Sequence, residues 1–142
     1  MKYAEIQHDL FTVDPDYHLA HCISSDIAVD KGIAVLFNQK FNLKARLLNI
    51  SPKDLEHPTC VKIEGTRVFN LITKELYYHI PTYNSVRQSL LKMRKQIEDE
   101  QITKLAMPKI ASGLDRKKWE KIRDIIHNVF KDTDIEILIC YL

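Results

Sequence analysis

Met107-Pro108-Lys109-Ile110-Ala111-Ser112-Gly113-Leu114-Asp115-Arg116, closed by Trp119, is the stretch on which the reading of this chain turns. The apolar run Leu105-Ala106-Met107 stops at Pro108, a turn of small residues follows, and Asp115 stands just ahead of a helix-like pattern. Strand, glycine turn and helix start is the layout of an α/β site that holds a phosphate on exposed backbone N–H groups. A carboxylate in such a turn sits beside the ligand, which makes Asp115 a candidate for chemistry and raises the question of its partner.

Working outward, strand and helix patterns alternate. Lys2 to Gln7 alternates apolar and polar residues as a half-buried strand does. Residues 19–23 form a second strand, broken by Ser24-Ser25-Asp26. Ile33, Leu36, Phe37 and Phe41 recur at helical spacing after Gly32, and Leu43, Leu47 and Leu48 predict a short second helix ending near Pro52. Residues 60–63 and 66–72 read as a hairpin about Glu64-Gly65. Residues 73–80 read as a loop. Pro81 is expected to open a helix with Val86, Leu90, Met93 and Ile97 as its buried stripe. Lys104 to Met107 is a strand, Trp119, Ile122, Ile126 and Phe130 mark the last helix, and residues 135–141 close the chain as a strand. Strands interleaved with helices predict an α/β sheet covered on both faces. Ligands of such sheets bind outside the carboxyl ends of the strands. The segments 24–32, 73–80 and 110–115 therefore carry the candidate site.

Composition sets limits without choosing a function. A chain of 142 residues is expected to form one domain, and 45% apolar with 28% charged residues is ordinary for a globular protein. A net charge of +2 makes no demand for nucleic acid or an anionic membrane. No apolar run approaches membrane-spanning length, so the expectation is an intracellular, cytoplasmic protein. Cys22, Cys60 and Cys140 are odd in number, far apart and set in apolar runs, which fits reduced buried thiols better than disulfides or a metal site. The six histidines show no metal-ligand spacing, and neither a metal nor a cofactor is expected.

Each candidate residue also has a plain structural reading. Asp9, in His8-Asp9-Leu10-Phe11, either caps a turn or accepts from an exocyclic amine such as that of adenine; local sequence favours the cap. His21 lies inside a strand and reads as a packed, hydrogen-bonded residue. It cannot pair with Cys22 for thiol catalysis, because neighbours in a strand point to opposite faces. Ser24 and Asp26 could line the crevice, and Gly32 at a helix start could let N–H groups approach a phosphate. Lys74, after Val68 to Thr73, is either a solvated charge or, beside a bound sugar, a nucleophile. Trp119 is core first and an aromatic platform second.

Taken in order, these segments resemble a macro domain of the small, single-domain terminal ADP-ribose glycohydrolase type. The resemblance is carried by Asp9-Leu10-Phe11, Leu19-Ala20-His21-Cys22-Ile23-Ser24, Gly32-Ile33-Ala34-Val35-Leu36-Phe37 and Leu71-Ile72-Thr73-Lys74. It continues through Pro81-Thr82-Tyr83, Met107-Pro108, Gly113-Leu114-Asp115-Arg116 and Trp119, and so covers nearly the whole chain. It implies a three-layer α/β/α macro-domain fold with a mixed central sheet, and an ADP-ribosyl glycohydrolase; the small size of the chain fits a monomer. By resemblance, Asp9 accepts from the adenine amine, and Ser24 and the Gly32 loop line the pyrophosphate and distal ribose. Gly113 and Leu114 offer N–H groups to the phosphates, and Leu10, His21, Ile33, Thr73, Pro108, Ile110 and Ser112 complete the binding set. Lys74 matches the family's nucleophile and Asp115 its acid–base. The implied substrate is a macromolecule carrying mono-ADP-ribose on an acidic side chain or a nucleic acid, with O-acetyl-ADP-ribose as a further ester. The alternative is a reader that binds ADP-ribose without cleaving it. Two departures from the family pattern bear on binding. Asp30 and Lys31 replace small residues before Gly32, and Ala111-Ser112 replaces Gly-Cys. If position 111 requires φ > 0, Ala111 strains its loop by roughly 1 kcal/mol.

Overall fold

The computed structural model describes residues 1–142. Six strands, β1 (Lys2–Gln7), β2 (His18–Ser24), β3 (Thr59–Lys62), β4 (Val68–Lys74), β5 (Lys104–Met107) and β6 (Glu136–Tyr141), form one sheet in the order β1-β6-β5-β2-β4-β3. Every neighbouring pair is parallel except β3 with β4, the hairpin about Glu64-Gly65. The sheet is therefore mixed, as expected. Four helices complete the fold: α1 (Ile33–Phe41), α2 (Leu43–Leu47), α3 (Tyr83–Asp99) and α4 (Trp119–Phe130).

Side-chain alternation divides the core into two halves. Ala20, Phe69, Leu71, Leu105, Met107, Ile137 and Ile139 face one way, into the side covered by α3 and α4. Leu19, Ile23, Val68, Ile72, Ala106 and Cys140 face the other way, against Phe37, Leu43 and Leu47 of α1 and α2. The central strands are apolar on both faces because helices cover both. The stripe expected for α3, Val86, Leu90, Met93 and Ile97, is buried, as are Ile122, Ile126 and Phe130 of α4. Helix α4 is tied to β1 by Glu5, which accepts from Arg123 Nε at 2.6 Å, Trp119 Nε1 at 3.2 Å and the Tyr3 hydroxyl at 2.6 Å. No helix is long and apolar enough to cross a membrane.

Most boundaries shift by a residue or two from the sequence reading, and two of the differences bear on the site. Helix α3 begins at Tyr83, not at Pro81: the Thr82 hydroxyl accepts the Ser85 N–H at 2.9 Å and Ser85 Oγ accepts the Thr82 N–H at 3.1 Å, a capping box that fixes the start after the proline. Strand β4 runs on through Thr73 and Lys74, which were expected in a loop. The Lys74 carbonyl accepts from Ser25 N–H at 2.9 Å, and the pairing with β2 slips so that Ser24 faces Lys74 and Thr73 is the extra residue.

Candidate active site

The carboxyl ends of β1, β5, β2 and β4 open on the same edge of the sheet because these strands are parallel. Asp9, the 108–115 loop, Ser24 and Lys74 follow those ends in that spatial order. The bulge in β4 lies at the Lys74 end of this row and sets the direction of Lys74.

Lys74 Nζ contacts Asp115 Oδ1 at 2.6 Å. The two residues are 41 positions apart, and their side chains are only 13% and 15% exposed. A pair so withheld from water is held by geometry as well as charge. A lysine engaged as a donor has no free lone pair, and Asp115 is the group positioned to take the proton whose loss would free it.

Two loops face each other across the crevice. Gly32 caps α1 with φ +61° and ψ −149°, a conformation open in practice only to glycine. A methyl added there would stand 3.3 Å from Leu114 Cδ1, so the Gly32 loop and the 113–115 turn are in contact range. In that turn the Gly113 and Leu114 N–H groups make no hydrogen bond within the chain, while the backbone around them is pinned by Arg116 N–H to Gly113 carbonyl and Lys117 N–H to Ala111 carbonyl. Ala111 has φ +59°, the left-handed conformation that disfavours a residue with a Cβ. The expected strain is therefore present.

The walls behind the crevice are hydrogen-bonded. The Ser24 hydroxyl donates to Asp26, whose other oxygen accepts the Tyr77 N–H at 3.0 Å. Burial alone would raise the Asp26 carboxyl, but donation from Ser24, Tyr77 and Ala28 outweighs it and holds the group below its usual value. Asp26 thus braces the 24–32 loop against the segment after Lys74. His21 is fully buried, stacked on Phe37 at 4.0 Å, with Nε2 2.7 Å from Asn70 Oδ1. The Asn70 amide donates to the Val61 carbonyl, so Oδ1 accepts and His21 donates from Nε2. Burial brings the imidazole down to about 4, against a smaller upward effect of Asn70, so it is neutral near pH 7.

Of the expected set, the structure brings Lys74 to Asp115 and Gly32 to Leu114. Ser24, Thr73, Leu10 and Ile110 are buried at or beneath the strand ends, and Ile33, Pro108 and Ser112 are half-buried. His21 does not reach the crevice: with no exposed surface it supports the wall, which is the packed role its strand position suggested. Asp9 is exposed and accepts the Phe11 N–H at 3.0 Å, the capping role. One of its carboxylate oxygens remains outside that bond. Asp30 is exposed, and Lys31 Nζ lies 5.7 Å from the Tyr77 ring. Sequence reasoning missed Asn70 as the partner of His21. The signal was a polar residue at the centre of an otherwise apolar strand, where burial demands a partner.

A six-stranded mixed sheet between two helical layers, with a glycine-capped helix and a phosphate-type turn at the strand ends, defines a macrodomain. The macrodomain of Mycobacterium tuberculosis DarG matches it with a TM-score of 0.84 at 16% identity, covering 99% of this chain and 97% of that one. Thermosipho africanus DarTG, solved in complex with ADP-ribose, matches with a TM-score of 0.84 at 16% identity over 98% of this chain and 41% of that one. At those identities the likeness is one of fold. No family model matches the chain. In sequence, ADP-ribose glycohydrolase OARD1 of Bos taurus is 41% identical over 134 residues, 94% of this chain and 88% of that protein. The chain belongs to the family of macrodomain ADP-ribose glycohydrolases.

Proposed function

We propose that the protein is a hydrolase that binds ADP-ribose along the strand ends and releases it from ester-linked acidic side chains or nucleic acid, using Lys74 and Asp115. The observation that carries this reading is the 2.6 Å contact between those two groups, brought together from β4 and the β5–α4 turn. The adenine end lies toward Asp9, the pyrophosphate between Gly32 and the Gly113-Leu114 N–H groups, and the distal ribose at Lys74.

The chemistry follows from the pair. Asp115 takes a proton from Lys74, and the freed Nζ attacks C1″ of the distal ribose. The N–C1″ bond forms as the C1″–O bond breaks, and its electron pair leaves with the carboxylate of the target. Water then adds to C1″ and passes one proton to solvent, the N–C1″ bond breaks, and the departing amine takes its proton back from Asp115. O-acetyl-ADP-ribose, an ester on the same sugar, is a further substrate of this site. The left-handed Ala111 and the carboxylate of Asp30 favour a second reading, a binding module of reduced affinity that leaves the ester intact.

Intact mass spectrometry of Asp115→Ala with an ADP-ribosylated glutamate peptide separates the two: without its carboxylate partner the nearly buried amine still reaches its neutral form and attacks slowly, but nothing returns a proton to it as it departs. Accumulation of ADP-ribose on the protein, absent in Lys74→Ala, is expected for the lysine route. Saturable ADP-ribose binding by the wild-type chain without ester cleavage would establish the reader instead.

A further inference from the structure

Beyond Lys74, on the side away from the rest of the crevice, a cavity of about 530 Å³ opens between the end of β4, the segment 75–82 and the first turn of α3, with His57 from the stretch before β3 as its far wall. It is lined almost wholly by polar groups: His57, Thr73, Lys74, Glu75, His79 and Ser85 among them. Some are already engaged. Thr82 and Ser85 hold the capping box, and His79 Nδ1 accepts the Leu76 N–H at 3.4 Å. Others are not. Glu75 is largely exposed and stands 3.7 Å from His57 Nδ1 in a loose pair that other partners can replace.

The sheet order gives this cavity its meaning. Across the strand ends the sequence of positions is Asp9, the 108–115 turn, Ser24, Lys74 and then the β3 edge. If ADP-ribose occupies the row from Asp9 to Lys74, the molecule it is attached to must leave the crevice past Lys74, over the β3 edge, where the cavity lies. We propose that this cavity is the subsite for the target, and that it takes the peptide segment flanking an ADP-ribosylated acidic residue. The inference rests on the hydrolase reading above. Peptide N–H groups suit the Glu75 carboxylate, and peptide N–H and C=O groups alike suit the imidazoles of His57 and His79. A nucleic acid fits less well: no Tyr, Phe or Trp lines the cavity for base stacking, and Glu75 would face a phosphodiester.

The test compares leaving groups on the full chain. His57→Ala combined with Glu75→Ala should lower kcat/KM on an ADP-ribosylated glutamate peptide by about tenfold, the loss expected for one or two hydrogen bonds. Turnover of O-acetyl-ADP-ribose, whose leaving group is too small to reach the cavity, and calorimetric affinity for ADP-ribose should stay unchanged; the latter also reports that the variant is folded. His57→Gln, which retains a polar side chain, should recover part of the loss. Equal losses on peptide and acetyl ester, or no loss on either, would overturn the subsite. A loss confined to an ADP-ribosylated oligonucleotide would overturn the peptide assignment. A wild-type chain that releases ADP-ribose from no ester would instead overturn the hydrolase reading, and this inference with it.

Discussion

Lys74→Ala separates the structural from the chemical role of the central pair. The substitution leaves Asp115 with its side chain 15% exposed and no cation at 2.6 Å. Exposed ion pairs contribute about 0–1 kcal/mol, whereas stripping one partner from a buried pair costs about 3–5 kcal/mol. A nearly buried pair falls between, at about 2 kcal/mol. Unfolding entropy of about 2.1 cal/mol/K per residue over 142 residues converts this to a fall in Tm of about 7 °C. Removing the stranded carboxylate as well, in Lys74→Ala with Asp115→Ala, should recover much of that loss, because the cost arises from the unpaired charge. Turnover behaves differently: the single variant should lose at least about a hundredfold and the double should recover none of it. Differential scanning calorimetry gives the first comparison and chromatography of released ADP-ribose the second, with ADP-ribose binding retained throughout. Turnover within a few-fold of wild type in Lys74→Ala would refute the lysine route. A double variant less stable than the single would refute the account of the pair as a nearly buried, mutually dependent couple.

Other consequences are open to direct measurement. Gly32→Ala forces a Cβ into φ +61° against Leu114, and should cost about 1–3 kcal/mol of stability together with roughly tenfold in ADP-ribose affinity; an unchanged calorimetric titration would show that the Gly32 turn does not touch the ligand. Asp30→Asn should tighten ADP-ribose binding by a few-fold at low salt, with the gain fading at high ionic strength, as long-range repulsion of a pyrophosphate requires; no salt-dependent gain would place the carboxylate out of range. Glu5 is held at about 2 chiefly by Arg123, against a smaller opposing effect of burial, from an ordinary value of 4.5. Its folded form therefore gains stability above pH 4.5 and loses it as pH falls toward 2. The Tm difference between wild type and Glu5→Gln should shrink across that window, and a constant difference would exclude the ion pair as its source.

The architecture was legible because apolar periodicity alone marks each element. The stripe Val86, Leu90, Met93, Ile97 and the all-apolar core strands predict helices on both sides of a sheet, and that is how they pack. The long-range partnerships were not legible in spacing. Nothing near Lys74 points to a residue 41 positions on; the Lys74–Asp115 pairing came through resemblance, and its distance only through the fold. The start of α3 was misread because proline is a local signal, whereas the capping box depends on how Thr82 and Ser85 side chains turn back on the backbone. The extension of β4 was misread because a bulge is a relation between two strands, and one strand's sequence does not contain it. His21 illustrates the converse. Its position inside a strand already argued for a buried, hydrogen-bonded ring, and the fold supplies Asn70 and Phe37 as the partners.

The slip at Ile23/Ser24 also divides the chain into stretches with different tolerance to changes in length. At the Glu64-Gly65 turn, residues can be added or removed while β3 and β4 keep their phase, so hairpin length is free to drift. Between Ile72 and Lys74 it is not. Deleting Thr73 would restore regular pairing and bring the next side chain one step along an alternating strand, turning the Lys74 amine toward the opposite face of the sheet. Thr73 thus fixes the reading frame of the candidate site, and length variants of this chain should be sought in the hairpin and never in the last three residues of β4.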